Sequence, residues 1–153
     1  MKQDYLTLIL LIERLHRRFL DVIKTELERL GVEDVNNVQT LILYNIGDAT
    51  LTVGELTHRG YYLGSNVSYN IKKLVESGFL VQERSSHDKR SIKVRLSDKG
   101  LGLCQKIDDL YLRNVEELVG YGMPAEELQQ TVESLKKLEG YWSTTVNTIG
   151  AYQ

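Results

Sequence analysis

The sequence has one cysteine, one proline and three histidines, and no apolar run approaching the 18 or so uncharged residues that a bilayer span needs. Each shortage excludes something. A lone Cys104 rules out an internal disulfide and any cysteine-based zinc site, in keeping with a reducing compartment. His16, His58 and His87 lack metal-ligand spacing, so neither a metal nor another cofactor is expected. The apolar stretch "YLTLILLI" at residues 5–12 ends at Glu13 with no small-residue cleavage site behind it, which predicts a cytoplasmic protein without a membrane span. The formal net charge is only −2, which taken alone argues against a nucleic-acid partner.

The 153 residues, 42% hydrophobic and 26% charged, fit one soluble globular domain spanning 1–153. Their charge is uneven. Arg59, Lys72, Lys73, Arg84, Lys89, Arg90, Lys93, Arg95 and Lys99 face only Glu76, Glu83, Asp88 and Asp98 across that stretch. A local basic segment inside an acidic chain is what a single anion-facing surface produces, although a solvated hairpin can produce it too.

Hydrophobic spacing predicts the elements. Leu8, Ile12, Leu15, Phe19, Ile23, Leu27 and Leu30 recur every three or four positions, giving a helix over residues 4–30 that stops at Gly31. "NNVQTLILYNIGD" predicts a second helix of roughly ten residues between an Asn36 or Asn37 cap and Gly47. "TVGELTHRG" carries a capping box, Thr52 with Glu55, on a short helix ending at Gly60. The turn "YYLG" follows, then Ser65 as N-cap of a helix that buries Val67, Ile71, Leu74 and Val75 and ends at Gly78. "FLVQER" and "SIKVRL" alternate like strands, with Ile92, Val94 and Leu96 on one face, and "SSHDKR" joins them as a hairpin. Ser97 caps a helix running to about Gly120 on Leu103, Ile107, Leu110, Val115 and Leu118. The only proline, Pro124, sits where a first helical turn tolerates it, and Leu128, Val132, Leu135, Leu138, Trp142, Val146 and Ile149 form a last stripe.

The fold class is therefore mainly α with a small β-hairpin wing. Short helices, a tight turn and a hairpin at the centre, over residues 36–97, make a winged helix-turn-helix. The long terminal helices, 1–30 and 98–149, carry more apolar surface than a small core can cover, so a second copy is their expected cover.

Three ordered segments, "LTVGELTHRG", "SNVSYNIKKLVESGFLVQER" and "DKRSIKVRLSDKG", resemble the MarR family of bacterial transcription regulators, and the resemblance extends over nearly the whole chain. It implies a homodimer joined through the terminal helices. Each subunit places a recognition helix in a major groove of a pseudo-palindromic double-stranded DNA operator and a wing in the neighbouring minor groove. Many relatives are repressors released by small phenolic or anionic ligands, or by oxidation. The thiol-sensing branch carries its cysteine near the start of the first helix, where this chain has none, so redox sensing is not expected.

The helix beginning near Ser65 has an unusual exposed face. Solvated helix faces favour Glu, Lys, Gln and Ala, yet Ser65, Asn66, Ser68, Tyr69 and Asn70 stand here. Short Ser and Asn side chains allow close approach to base edges, and an Asn amide offers a donor and an acceptor together, which suits adenine. Asn70 is equally readable as a core-edge amide. Lys72 and Lys73 suit phosphate. In the loop, Arg90 suits a narrow minor groove with Asp88 orienting its guanidinium, and His87 and Lys89 add phosphate contacts. His16, Phe19, Tyr44, Tyr61 and Tyr62 fall where the family packs its effector cleft and could cradle a small aromatic or anionic ligand, although buried tyrosines in a helical core are commoner.

Enzyme readings fail on context. "SSHDKR" places Ser, His and Asp side by side, whereas a triad assembles from separate elements. "GYGMPA" has no strand before it, and the sequon "NVS" has no secretory signal to make it relevant. The expected function is sequence-specific DNA binding by a dimeric repressor relieved by a small molecule. The competing class is a winged-helix protein-interaction module without specific DNA binding, whose mark would be acidic or apolar replacement of the recognition face.

Overall fold

The computed structural model describes residues 1–60, 64–84 and 91–150, with the side chains of residues 60, 64 and 65 left aside. Among them are α1 (Lys2–Leu30), α2 (Asn37–Ile46), β1 (Leu51–Thr52), α3 (Val53–Gly60), α4 (Gly64–Glu76), β2 (Leu80–Arg84), β3 (Ile92–Leu96), α5 (Asp98–Gly120) and α6 (Ala125–Gly150). None of these helices is long and apolar enough to cross a membrane. The chain divides into two compact units, Met1–Leu110 and Tyr111–Gln153.

Local chemistry sets the helix ends in the first unit. The Asn36 side chain accepts from the backbone N–H of Gln39, and the Gln39 side chain accepts in return from the N–H of Asn36, so Asn36 is the cap of α2. Thr52 and Glu55 make the same reciprocal pair at α3, at 3.1 and 3.3 Å. Helix α4 begins at Gly64, so Ser65 lies inside its first turn rather than before it, two residues from expectation. It ends at Glu76 and is closed by Gly78, whose φ of 81° lets the N–H groups of Gly78 and Phe79 return to the carbonyls of Val75 and Leu74.

The sheet has the order β1-β3-β2 and is antiparallel throughout, with Leu51 opposite Val94 and Leu80 opposite Leu96. β1 was not expected. It is two residues long, and only its pairing with Val94 and Lys93 makes it a strand. Val94 and Leu96 enter the core, but Ile92, on the same face, lies beyond it and is exposed. Ile23 and Leu27 of α1, Ile42, Leu43 and Ile46 of α2, Leu56 of α3, Val67, Ile71 and Leu74 of α4, and Leu103, Ile107 and Leu110 of α5 are buried with them, as are Val35, Phe79 and Leu80.

The start of α5 is fixed against the end of α4. The Ser97 hydroxyl accepts from the N–H of Gly100 and donates to the carbonyl of Gly78, while the N–H of Ser97 reaches the carbonyl of Phe79. Lys99 donates to Asp34 and to the carbonyl of Ser77, and its ammonium lies 4.3 Å from the centre of the Phe79 ring. Gly100 has to be glycine here, because a Cβ would stand 2.4 Å from the Phe79 carbonyl oxygen.

The apolar stripe of α1 is only partly covered: Ile23 and Leu27 are buried, whereas Leu10, Leu11 and Leu15 are exposed. In the second unit, α6 has no buried residue along its 26-residue length. The Pro124 carbonyl accepts from the N–H of Leu128, which places the proline just before α6. An apolar groove of about 310 Å³ between the end of α5 and the start of α6 is lined by residues such as Val115, Val119, Leu128 and Val132.

Two glycine exchanges on one helix test the α4–α5 junction. Gly100→Ala should lower stability by about 1–3 kcal/mol, since the methyl meets backbone that cannot turn aside. Gly102→Ala, with nothing within 4 Å of the added Cβ, should raise it by about 0.5–1 kcal/mol. Urea unfolding of both proteins measures the contrast, and equal midpoints would show that the junction is loose.

Candidate nucleic-acid interface

α4 divides cleanly into two sides. Val67, Ile71 and Leu74 are buried, while Asn66, Ser68, Tyr69, Lys72 and Lys73 are exposed in two adjacent rows along the opposite side. The uncharged members sit toward the helix start and the two lysines one turn later. Tyr69 is 60% exposed, a large aromatic with little cover. The Lys73 ammonium lies 5.7 Å from the Tyr69 ring centre and 3.5 Å from the Glu76 carboxylate, an exposed pair of small energetic weight.

Asn70 does not share that face. It is 9% exposed, at the margin where α4 meets α2, and its Oδ1 accepts from Nε2 of Gln39 at 3.2 Å. The core-edge reading is the one its geometry supports. Gln39 was missed as a partner; the spacing of Asn36 and Gln39 is that of a capping box, but nothing in it points 31 residues onward to Asn70.

Of the other expected contacts, the Ser65 side chain, His87, Asp88, Lys89 and Arg90 lie outside the described residues, as do Tyr61 and Tyr62. The strands on either side of residues 85–90 are described. Arg84 ends β2 exposed, and Arg95 on β3 is paired at 2.5 Å with Glu83. Of the residues assigned to an effector cleft, His16 is exposed on α1, Phe19 follows one turn later at 37% exposure, and Tyr44 is half-buried on α2. The Tyr44 hydroxyl donates to Asp108 of α5 at 2.5 Å, which joins two helices rather than leaving a phenol facing an open cleft.

Residues 33–91 match the MarR family. Over 139 residues the chain is 38% identical to the exopolysaccharide II synthesis transcriptional activator ExpG of Rhizobium meliloti (strain 1021), spanning 90% of this chain and 71% of that one. The chain belongs to the MarR family. It is accordingly a DNA-binding transcriptional regulator of the winged helix-turn-helix type and not an enzyme. Solved structures share the MarR-type fold at low identity. FabT of Streptococcus pneumoniae, in complex with DNA, superposes with a TM-score of 0.75 at 19% identity, covering 93% of this chain and 99% of that one. MarR of Staphylococcus aureus, in complex with salicylate and kanamycin, gives 0.72 at 21%, covering 94% and 93%.

Cys104 lies on α5 one turn before Asp108. Burial, reinforced by the negative charge of Asp108, pushes its thiol up to about 11. At pH 8 only about one thiol in a thousand is then ionised, and thiols react as thiolates. Alkylation of the native protein by iodoacetamide should therefore be slow and should rise about tenfold per pH unit between 7 and 10. A rate that levels off below pH 9.5 would reveal a reactive thiol.

Proposed function

We propose that this MarR-family chain acts as a homodimer on a pseudo-palindromic operator, each α4 lying in a major groove and each 85–90 loop reaching the adjacent minor groove. The observation that carries the reading is the exposed side of α4. Asn66, Ser68 and Tyr69 offer short polar and aromatic groups to base edges, and Lys72 and Lys73 stand behind them for phosphate. In the loop, Arg90 enters the narrow groove oriented by Asp88, with His87 and Lys89 on the backbone. A protein-interaction module would replace this face by acidic or apolar residues, which it does not do.

Dimer formation is supported by the uncovered residues of α1, Leu10, Leu11 and Leu15, and by α6, where nothing is buried. The single MarR-type domain then consists of the winged-helix core at 36–97, with 1–30 and 98–149 as the dimerisation helices. A small aromatic or anionic effector is supported by Phe19, Tyr61 and Tyr62 with His16 in the sequence, Tyr44 being engaged with Asp108, and by the salicylate complex of the Staphylococcus aureus relative. Such a dimer represses where its operator overlaps a promoter. An operator placed elsewhere can give the opposite sign, and ExpG is by its name an activator. Binding to chromosomal DNA places the protein in the cytoplasm.

Base reading and phosphate grip separate by charge. Lys73→Ala should weaken operator and scrambled duplex alike and lower the slope of log affinity against log salt by about one unit. Asn66→Ala should leave the slope nearly unchanged and cost about 1–3 kcal/mol on the operator alone. Equal losses on both duplexes for Asn66→Ala would remove α4 as the reader of sequence.

The second subunit is tested on side chains exposed in a single chain. In a monomer, Leu135→Asp with Val146→Asp would cost within about 0.5 kcal/mol, as surface changes do. In a dimer the same pair should yield unfolded or aggregated chain by sedimentation and circular dichroism. A folded, DNA-competent monomer would count against the arrangement.

A further inference from the structure

We propose that Gln39 is a positioning residue for DNA reading, setting from a buried site the roll of α4 and the orientation of the Asn70 amide. The inference rests on α4 being the DNA-reading helix. Gln39 sits in the first turn of α2 and is 8% exposed. Its Oε1 accepts from the backbone N–H of Asn36 at 3.1 Å, and a backbone N–H can only donate. That bond decides which end of the Gln39 amide is oxygen, so Nε2 has to face Asn70. The Asn70 atom that meets it at 3.2 Å is then necessarily Oδ1. Turning over either amide would set two donors or two acceptors against each other in a buried place. The polarity therefore runs one way, from the cap of α2 through Gln39 to α4.

Hydrogen bonds to the carbonyls of Ser77 and Gly78 hold the C-terminal end of α4, but among the described residues the contacts along its middle are apolar apart from Asn70. Val67, Ile71 and Leu74 pack by apolar surface, which is non-directional and accommodates a small roll of the helix about its axis. A buried amide pair accommodates much less, because misalignment leaves two polar groups without partners. Asn70 stands next to Tyr69, four residues after Asn66 and three before Lys73, so any roll it permits is carried directly to the exposed side chains. Contacts to base edges are short and angular, whereas phosphate attraction is long-ranged and forgiving of angle. Loss of the tie should consequently appear in sequence discrimination rather than in general affinity.

The experiment uses the full chain and a duplex that the wild-type protein itself selects from randomised DNA, with a scrambled duplex as reference. Four proteins are compared: wild type, Gln39→Leu, Asn70→Leu and the double variant. Leaving one buried amide unpaired costs stability in each single variant, but the double variant removes both polar groups together and should keep a urea midpoint at or above that of wild type. Its ratio of operator to scrambled affinity should nevertheless fall about tenfold, with the salt slope unchanged. Because Gln39 acts through Asn70, adding Gln39→Leu to Asn70→Leu should lower the ratio no further. A double variant with the wild-type ratio overturns the proposal, and so do losses that simply add. If the wild-type protein selects no sequence at all, the DNA-reading role of α4 fails first and this proposal falls with it.

Discussion

The structure depends on the way the end of α4 is joined to the beginning of α5. Ser97 serves three partners at once, capping α5 through Gly100, holding the Gly78 carbonyl by its hydroxyl and reaching the Phe79 carbonyl by its backbone. Lys99 adds Asp34 and Ser77, and Gly100 allows the two backbones to meet without a side chain between them. α4 and the first turns of α5 thus share one hydrogen-bonded junction. With Val67, Ile71 and Leu74 held in the core, the other side of α4 is left uncovered as a consequence of packing.

Much of this is local and could be read in advance. The Thr52 and Glu55 box, the stop at Gly78 and the Ser97 cap all involve residues a few positions apart, so spacing alone encodes them. The exposed side of α4 was legible from an oddity of composition, since Ser and Asn have no propensity reason to be there. What stayed hidden involves partners far apart in the chain. β1 exists only because residues 93 and 94 pair with it, and Lys99 meets residues 34 and 77. Asn70 was ambiguous because its position lies between the two sides of the helix, and only Gln39, 31 residues earlier, decides it.

The charge pattern gains a sharper meaning from the same contacts. Nine cations against four anions over residues 59–99 suggested a broad basic surface. Yet Lys99 is held by Asp34 and Arg95 by Glu83, so both serve the scaffold. Among the described residues, the exposed cations on α4 itself are Lys72 and Lys73, the latter shared with Glu76, while Lys89 and Arg90 lie outside them.

Long helices turn small angular errors into large displacements. α5 runs for 23 residues, about 34 Å at the usual rise, so a tilt of about 5° at its first turn moves its far end by about 3 Å. That is close to the rise of one base pair. Leverage of this size explains why so short a junction needs three hydrogen bonds from one serine and a glycine with no room for a methyl group.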